Sequence, residues 1–538
     1  MSARINLAAA NSAVASRLAA ELDLPQFIAA TLVARGFDTV EKAQEFLNPS
    51  LERDWANPYE IENMEAAVNR IEAAIKNEEH ILVFGDFDLD GVSATTIMTR
   101  GLRECGARVT PFIPLRFEEG YGLSKAAIDR ASACNPNLVV TVDNGIAAKN
   151  EVEILKERGI DVIITDHHEP ADLVPEGVPV VDPKCDDNPS SILAGAGVAL
   201  KVLQAVGSRF GKPNLWRGLI DLATLGTVAD LMPMRSQNRA MVGVGVRMIN
   251  ENPRPCIAAL LGESGFADNP VSSSSLSFTI IPRLNAAGRM GNAQLALDLL
   301  MCDDFAEACH LSAELENVNT QRRTIEAELA EVASEQAERI FKGQRALVVA
   351  GEGWHEGVKG IVASRLTNRY GVPSILFTIE GDEAHGSGRS VGDVNLFEAV
   401  SSCQDILTRF GGHHAAVGVT LPASKLPEFS ERLCAYMDKL PPEEFVPRIE
   451  VDASLDLSEL TLENVAKLDL LAPFGQENPS PHFLAHGVVI SGGRAVGADK
   501  THLSCTLTDG VNSLSSIMFH CPDISGLLGC GCALDAVF

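Results

Sequence analysis

From residue 80 onward the chain alternates short apolar runs with longer amphipathic segments. Runs that are apolar on both faces and are separated by helical patterns indicate a parallel β-sheet covered by helices on both sides. The alternation predicts helices at 92–105, 124–133 and 147–158, between strands at 80–84, 108–113, 138–142, 161–165 and 178–181.

A second alternation follows a segment without glycine or proline. Residues 292–342 contain neither and are rich in Ala, Glu, Leu and Arg, so they predict a long connecting helix. The strand and helix pattern resumes over 345–377, and Pro441-Pro442 marks a boundary. The short alternating segments beyond that boundary are typical of a small β-barrel.

We therefore expect an α/β protein with a parallel-sheet domain, a connecting helix, a second α/β domain and a C-terminal barrel resembling an OB-fold. Because the sequence stops in a strand-like segment, the barrel is expected to be either minimal or truncated. The expected segments are 1–75 (helical), 76–300 (parallel-sheet domain), 301–343 (connecting helix), 344–440 (second α/β domain) and 446–538 (barrel).

Four acidic or histidine clusters lie at the ends of elements that the pattern assigns as strands, and three of them share one carboxyl edge, where ligands bind in such sheets. Carboxylates beside apolar strands repel one another unless a cation is present. Oxygen-rich sets with an imidazole suit hard divalent metals, so the clusters predict metal-assisted chemistry on a phosphate ester. They are Asp86-Phe-Asp88-Leu-Asp90-Gly91, Asp143-Asn144-Gly145, Asp166-His167-His168 and Gly226-Thr-Val-Ala-Asp230.

Each cluster taken alone has a simpler interpretation. The first resembles a calcium-binding EF-hand loop, but Ile97 occupies the twelfth position, where that loop needs a glutamate. Asp-Gly and Asp-Asn-Gly are common turns, Asp166 is a possible helix cap and Asp230 a possible helix-end charge. The repetition of one placement along one sheet is what favours the metal site.

Composition limits the classes of function. The net charge of −28 alone argues against a nucleic-acid partner, although bound metals would reverse the sign of an acidic site. No signal peptide or membrane span is expected, since no stretch approaches ~18 uninterrupted apolar residues. Twelve cysteines without a CxxC pair indicate reduced thiols, so we expect a cytoplasmic protein.

The clusters and several glycine-rich motifs resemble the DHH phosphoesterase superfamily, named for a triplet that occurs here as Asp166-His167-His168. Within it the whole set is similar to the RecJ family of single-stranded-DNA exonucleases, from about residue 40 onward. The further matching segments are Arg116-Phe-Glu-Glu-Gly120-Tyr-Gly-Leu123, Leu193-Ala-Gly-Ala-Gly197, Asn285-Ala-Ala-Gly288-Arg289-Met290, Trp354-His-Glu-Gly357, Gly386-Ser-Gly388-Arg389-Ser390, Gly411-Gly-His413-His414 and Pro473-Phe-Gly-Gln476.

The resemblance implies a role for each residue of the acidic clusters. Two Mn²⁺ or Mg²⁺ ions would be held with Asp143 between them, an arrangement suited to in-line hydrolysis of a phosphodiester. The implied metal ligands are Asp88, Asp90, Asp143, His167 and Asp230, and the implied catalytic residues are Asp86, Asp166 and His168. The segment 76–300 would be the DHH domain and 344–440 the DHH-associated substrate-binding domain.

The resemblance also implies a second set of residues, which bind the DNA strand. Glycines let backbone N–H groups approach a phosphate, arginines grip it, and aromatic rings stack on bases. A glycine-rich turn with a solvated arginine, or core packing of the aromatic ring, is the simpler alternative. The implied substrate-binding residues are Arg116, Tyr121, Arg283, Arg289, Ser387, Arg389, His413 and His414.

The expected function is metal-dependent 5′→3′ exonuclease activity on single-stranded DNA in repair and recombination, by a monomer that works with a helicase and a single-strand-binding protein. A DHH enzyme on oligoribonucleotides or cyclic dinucleotides is the rival of the same class. A non-catalytic single-strand-binding scaffold is the rival of a different class.

Overall fold

The computed structural model describes residues 4–120, 122–170 and 173–538. The chain divides into two units. The larger unit comprises residues 49–446 and 473–478, and the smaller comprises 1–48, 447–472 and 479–538. No described helix is both long enough and apolar enough to cross a membrane.

The described α-helices begin and end at the following residues. They are α1 (Ser12–Leu22), α2 (Gln26–Ala34), α3 (Val40–Leu47), α4 (Leu51–Asp54), α5 (Met64–Lys76), α6 (Leu89–Glu104), α7 (Lys125–Ser132), α8 (Lys149–Glu157), α9 (Gly195–Arg209), α10 (Ile220–Ala229), α11 (Ser236–Glu251), α12 (Pro255–Glu263), α13 (Ser273–Phe278), α14 (Ile280–Arg289), α15 (Ala293–Met301), α16 (Phe305–Ile340), α17 (Lys359–Tyr370), α18 (Leu396–Ser401), α19 (Leu426–Met437), α20 (Leu462–Ala466) and α21 (Ile524–Cys530).

The described strands form four sheets. They are β1 (Arg4–Leu7), β2 (His80–Phe84), β3 (Arg108–Phe112), β4 (Leu138–Thr141), β5 (Asp161–Thr165), β6 (Val180–Val181), β7 (Leu347–Glu352), β8 (Ser374–Glu380), β9 (Glu383–Arg389), β10 (Arg409–His413), β11 (Ala416–Pro422), β12 (Arg448–Val451), β13 (Ala453–Ser454), β14 (Phe483–Val496), β15 (His502–Thr508), β16 (Ser513–Met518) and β17 (Leu534–Val537).

The first domain of the larger unit is built on a five-stranded parallel sheet in the order β3-β2-β4-β5-β6. Alternate residues of its strands face two separate cores, Ile81 and Val83 on one side and Leu82 and Phe84 on the other. Both faces are thus dry, which explains the continuous apolar runs. Strand β3 is added on one side of β2 and the later strands on the other, so the strand order switches between β2 and β4. A ligand crevice is expected at the carboxyl ends of these two strands.

The second α/β domain of the larger unit follows the 36-residue helix α16, which confirms the predicted connecting helix. Its sheet has the order β10-β11-β9-β8-β7, in which only β7 and β8 run parallel. Helix α17 packs against this sheet and against α16. The register places His413, Ala416 and Arg389 in one row across three strands, at one edge of the sheet.

The smaller unit joins the first residues of the chain to the C-terminal barrel-like sheet. Strand β1 pairs in parallel with β12, and Phe27 of α2 packs edge-to-face on Phe483 with ring centroids 5.1 Å apart. Arg35 lies 2.8 Å from Asp452 in a half-buried ion pair. The sheet runs β13-β14-β15-β16, with β17 paired to β14, and the expected OB-like architecture is confirmed.

Candidate metal centre and substrate groove

The first acidic cluster turns the chain from β2 into α6. Asp88 is the N-cap of α6 and its carboxylate accepts a hydrogen bond from the Gly91 N–H at 3.0 Å. Asp86 precedes it and is 2% exposed. A Cβ at Gly91 would lie 2.6 Å from the Asp86 backbone nitrogen, so only glycine lets this tight turn pack. The turn thereby points two carboxylates at the crevice beyond β2.

Asp90 is buried in the first turn of α6 and is held by the start of another helix. Its carboxylate accepts hydrogen bonds from the backbone N–H groups of Gly195 at 2.6 Å and Ala196 at 3.0 Å, both at the N-terminus of α9. Burial and the neighbouring Asp230 raise the pKa of Asp90 well above its ordinary value. Glycine is required at position 226 also, because a Cβ there would lie 2.4 Å from an Asp90 oxygen.

Asp143 lies at the centre of the cluster, two residues beyond the end of β4. Its φ of +60° is unusual for a residue other than glycine, and such strain is concentrated at functional sites. Its Oδ1 lies 3.0 Å from His167 Nε2, but the geometry is not that of a hydrogen bond, so this oxygen has no hydrogen-bond partner among the described residues. Burial first, and then the charges of Asp90 and Asp88, raise the pKa of Asp143.

The two histidines of the triplet after β5 lie in different environments: Asp166 orients His168, whereas His167 is buried. Asp166 accepts a hydrogen bond from His168 Nδ1 at 2.8 Å and another from the Ile146 N–H at 2.9 Å. Although burial opposes protonation, the Asp166 hydrogen bond raises the pKa of His168 to about 9. Burial and then the charge of His168 lower the pKa of His167 to about 3, so its imidazole is neutral, as a metal ligand must be.

Asp230 comes from a helix and not from a strand, which corrects the sequence prediction. It is the C-cap of α10, and its Oδ2 lies 3.7 Å from His167 Nε2. Its side chain is 34% exposed, so it forms part of the mouth of the site. Burial and Asp88 raise the pKa of Asp230 to about 6. The residues 226–230 read as a strand end because continuous apolar helices and strands look alike over short windows.

The donor atoms fall into overlapping groups that fit two cations. Asp86, Asp88 and Asp143 form one group whose donor atoms lie within 4.8 Å of one another, and Asp90, His167 and Asp230 form a second. Asp143 links the two groups, because its donor atom also lies within 4.8 Å of those of His167 and His168. The unpartnered Asp143 oxygen and the clustered buried carboxylates are what a hard divalent metal satisfies.

One buried acid at the same sheet edge was missed by the sequence analysis. Asp182 follows β6 directly, is fully buried, and accepts a hydrogen bond from the Lys184 N–H at 2.9 Å. Burial raises the pKa of Asp182 to about 7. The available signal was its position after the last predicted strand, the placement that identified the other clusters.

The pKa shifts predict that cations and protons compete for the site. Burial and Asp88 raise the pKa of Asp86 to about 8, so without a cation the cluster holds protons at neutral pH. Raised carboxyl pKa values favour the fold at low pH, so the melting temperature in EDTA should fall as pH rises from 6 to 8. Over the same interval the Mn²⁺-induced increase in melting temperature should grow, because bound protons no longer compete.

Calorimetric titration with Mn²⁺ in two buffers of different ionisation enthalpy measures this linkage directly. At pH 7 each chain should release at least one proton on binding, and fewer at pH 8.5. Binding without proton release at pH 7 would contradict the raised pKa values.

Beside the acidic cluster, three arginines from distant parts of the chain converge, namely Arg116 from the loop after β3, Arg289 from α14 and Arg389 from β9. Arg116 lies over the Phe87 ring at 4.7 Å from its centroid, next to the first cluster. Arg289, the last residue of α14, donates to the Gly357 carbonyl of the second domain at 3.4 Å. Burial, followed by the charges of Arg116, Arg322 and Arg389, lowers the pKa of Arg289. Mutually repelling guanidinium groups of this kind favour an anion between them.

Ser387 and Arg389 complete this group from β9. Arg389 Nη1 donates to the Ser387 Oγ at 3.3 Å and to the Gly388 carbonyl at 2.7 Å. Burial alone lowers the pKa of Arg389. A Cβ at Gly360 would lie 2.6 Å from its Nη2, so glycine there leaves room for the guanidinium.

The other expected substrate residues are placed differently. Arg283 Nε lies 2.7 Å from Glu316 of α16, so its charge is neutralised within the protein. His413 and His414 are exposed near the turn between β10 and β11, and His414 Nε2 lies 3.1 Å from the Asp393 carbonyl oxygen. Tyr121 lies outside the described residues. The substrate role of each of these residues stays a prediction.

Family models match three parts of the chain. The DHH family, N-terminal domain, matches residues 80–227, the DHHA1 domain matches 343–439, and the RecJ OB domain matches 451–538.

Relatives and a solved structure match most of the chain. The single-stranded-DNA-specific exonuclease RecJ of Bacillus subtilis is 39% identical over 94% of this chain and 64% of its own length. The corresponding protein of Salmonella typhimurium is 34% identical over 86% of this chain and 83% of its own length. The crystal structure of RecJ in complex with Mn²⁺ from Thermus thermophilus superposes with a TM-score of 0.81, at 31% identity over 95% of this chain and 74% of that one.

The chain thus spans 64% of the length of its Bacillus relative and most of the Salmonella one. The three family models fall in the order that the sequence analysis predicted. The chain therefore belongs to the family of RecJ single-stranded-DNA-specific exonucleases.

Proposed function

We propose that the protein degrades single-stranded DNA from its 5′ end to mononucleotides, with two divalent ions, Mn²⁺ or Mg²⁺, held in the acidic cluster. The observation that carries this proposal is that a carboxylate and imidazole cluster and a set of converging arginines lie side by side in one unit. The first suits hydrolysis of a phosphate ester, and the second suits the grip on a terminal phosphate.

The residues divide the work as follows in this proposal. The ions are held by Asp88, Asp90, Asp143, His167 and Asp230. When bound, they would lower the pKa of a water and stabilise the charge on the transferred phosphate. Asp86 supports the first ion position from the same turn.

His168 is proposed to act on the phosphate itself. Its Nδ1 is fixed by Asp166, so the ring is oriented and its Nε2–H is available to a phosphate oxygen. Its side chain is 45% exposed, which leaves it accessible to a substrate. Asp166 thereby positions the imidazole, while His168 donates the hydrogen bond.

The 5′ direction of the proposal rests on the family resemblance. The structure supplies the groups that would hold a terminal phosphate beside the metal cluster, namely the positive charges and the hydroxyl of Arg116, Arg289, Ser387 and Arg389. His413 and His414 extend this surface along the second domain, and Tyr121 and Arg283 remain proposed contacts.

We also propose the five domain boundaries predicted from the sequence, together with a cellular setting for the activity. We propose a cytoplasmic monomer that acts in DNA repair and recombination on strands opened by a helicase and covered by a single-strand-binding protein. The barrel-like sheet supports the binding of single-stranded DNA, because OB-folds often bind single strands.

Digestion of end-labelled DNA tests the activity and its direction together. With Mn²⁺, a 5′ label on a long single strand should be released as a mononucleotide at once, while a 3′ label should persist on shortening products. Blunt duplex DNA and reactions with EDTA are the controls and should stay intact. Release of the 3′ label first would show that degradation runs from the 3′ end. Cleavage confined to dinucleotides would favour the oligoribonuclease alternative.

A further inference from the structure

Helix α10 ends at the mouth of the metal site in an unusual way. After the C-cap Asp230, the Leu231 N–H donates to the Val228 carbonyl at 3.4 Å and the Met232 N–H donates to the Thr227 carbonyl at 3.2 Å. These two bonds define a Schellman motif, in which the residue at the Leu231 position adopts a left-handed conformation. Leu231 accordingly has a φ of +54°.

A leucine at this position is unfavourable for two separate reasons. Glycine is the usual residue there, because a side chain in the left-handed region clashes with its own backbone. Among the described residues with positive φ other than glycine, Leu231 is the only apolar one. Its side chain is also 70% exposed, so burial does not offset the backbone cost.

The position of residue 231 next to the metal site explains why an exposed leucine is present despite its backbone cost. It follows Asp230 directly, and the Asp230 carboxylate lies at the mouth of the cluster, 3.7 Å from His167 Nε2. Because the Asp230 side chain is 34% exposed, this mouth is open to a nucleotide whose phosphate reaches the cluster. An exposed apolar side chain beside it presents a surface to the apolar face of a sugar or base, which carries no charge for the arginines to bind.

We propose that Leu231 contacts the nucleoside next to the scissile phosphate and positions it at the metal site. This inference rests on the proposed function, and it assigns a contact to a residue outside the ligand and phosphate-binding sets. The leucine costs stability and contributes to substrate binding, a trade-off found at functional sites.

The test is a substitution with opposite effects on stability and on binding. Leu231→Gly should keep the melting temperature or raise it by roughly 1–3 °C, because relief of the left-handed strain outweighs the added freedom of the unfolded chain. The KM for single-stranded DNA should rise about tenfold with kcat changed less than about twofold. The dependence of affinity on salt should not change, since no phosphate contact is lost.

The chain offers a matched control at Glu78. Helix α5 also ends in a Schellman motif, with the Glu78 N–H donating to the Ile75 carbonyl, the Glu79 N–H donating to the Ala74 carbonyl, and a Glu78 φ of +56°. Glu78 precedes β2, at the opposite edge of the sheet from the cluster. Glu78→Gly should therefore change the melting temperature as Leu231→Gly does and leave KM at the wild-type value.

Two further variants separate the side chain from the backbone. Leu231→Met keeps an apolar group and should retain the wild-type KM, whereas Leu231→Asn suits the left-handed backbone but should raise KM as glycine does. A wild-type KM in both the glycine and asparagine variants would overturn the inference, as would a loss confined to kcat. A wild-type enzyme inactive on single strands would instead overturn the proposed function, and the nucleoside contact with it.

Discussion

Replacement of Asp143 by asparagine is expected to reduce degradation of single-stranded DNA by roughly 10³-fold or more. The Asp143 carboxylate joins the two donor groups of the cluster, so its loss removes a ligand from both proposed ion positions. Asparagine keeps the size of the side chain and replaces a buried carboxyl whose ionisation is opposed by burial and by the neighbouring carboxylates. The variant should therefore fold, with a melting temperature in EDTA equal to or above the wild-type value.

Three readouts separate loss of metal from loss of fold in Asp143→Asn. Single-strand binding should persist, the Mn²⁺-induced rise in melting temperature should shrink, and cleavage should vanish. Asp161→Asn is the matched control, because Asp161 begins β5 at the opposite edge of the sheet and is 64% exposed. That control should cleave at the wild-type rate. Wild-type cleavage by Asp143→Asn would refute the assignment of a bridging ligand.

Replacement of Arg389 by glutamine is expected to raise the KM for a 5′-phosphorylated single strand by about 10- to 100-fold. The Arg389 guanidinium is mostly buried, and among its described contacts none is a carboxylate. A phosphate is the partner that such a group lacks. Removing one phosphate contact should also reduce the salt dependence of binding by about 0.7 in the slope of log K against log salt.

Arg369→Gln is the control for Arg389→Gln. Arg369 lies on α17 and pairs with Glu338 of α16 at 2.6 Å, with both side chains about half exposed. Its loss should leave KM and the salt slope unchanged, since exposed ion pairs contribute little. An unchanged salt slope in Arg389→Gln would show that Arg389 does not touch the DNA backbone.

The parallel sheet could be predicted almost residue by residue from the sequence. Strands β2 and β5 have the bounds that the apolar runs predict, and β3, β4 and β6 differ from them only at one end. Strands buried on both faces carry the strongest signal, because nearly every residue must be apolar. The edge at which Asp86, Asp143 and Asp166 meet follows from the strands alone.

Other parts of the site depend on contacts between distant segments. The helical origin of Asp230 is hidden because α10 is buried on all sides and shows no periodicity. The Arg283–Glu316 pair joins α14 to α16, and sequence spacing carries no information on such pairs. Similarly, the pairing of β1 with β12 links residues more than 400 positions apart.

The left-handed conformations of Asp143 and Leu231 could not be predicted either. Leucine rarely adopts positive φ, and aspartate, although enriched there, adopts it in only a minority of cases, so sequence alone does not place either residue in that region. The backbone of each is set by the surrounding structure. At Asp143 the Gly195 backbone lies so close that an added Cβ would be 2.5 Å from the Asp143 Cβ.

Asp143 is proposed to lie between two cations at the carboxyl edge of the parallel sheet. Anomalous diffraction at the manganese edge, from crystals of the protein grown with Mn²⁺, would locate the ions. Two peaks about 3.5–4 Å apart are expected, one beside Asp86 and Asp88, the other beside His167 and Asp230, with Asp143 between them. A single peak, or two peaks that do not share Asp143, would show that Asp143 does not bridge two ions.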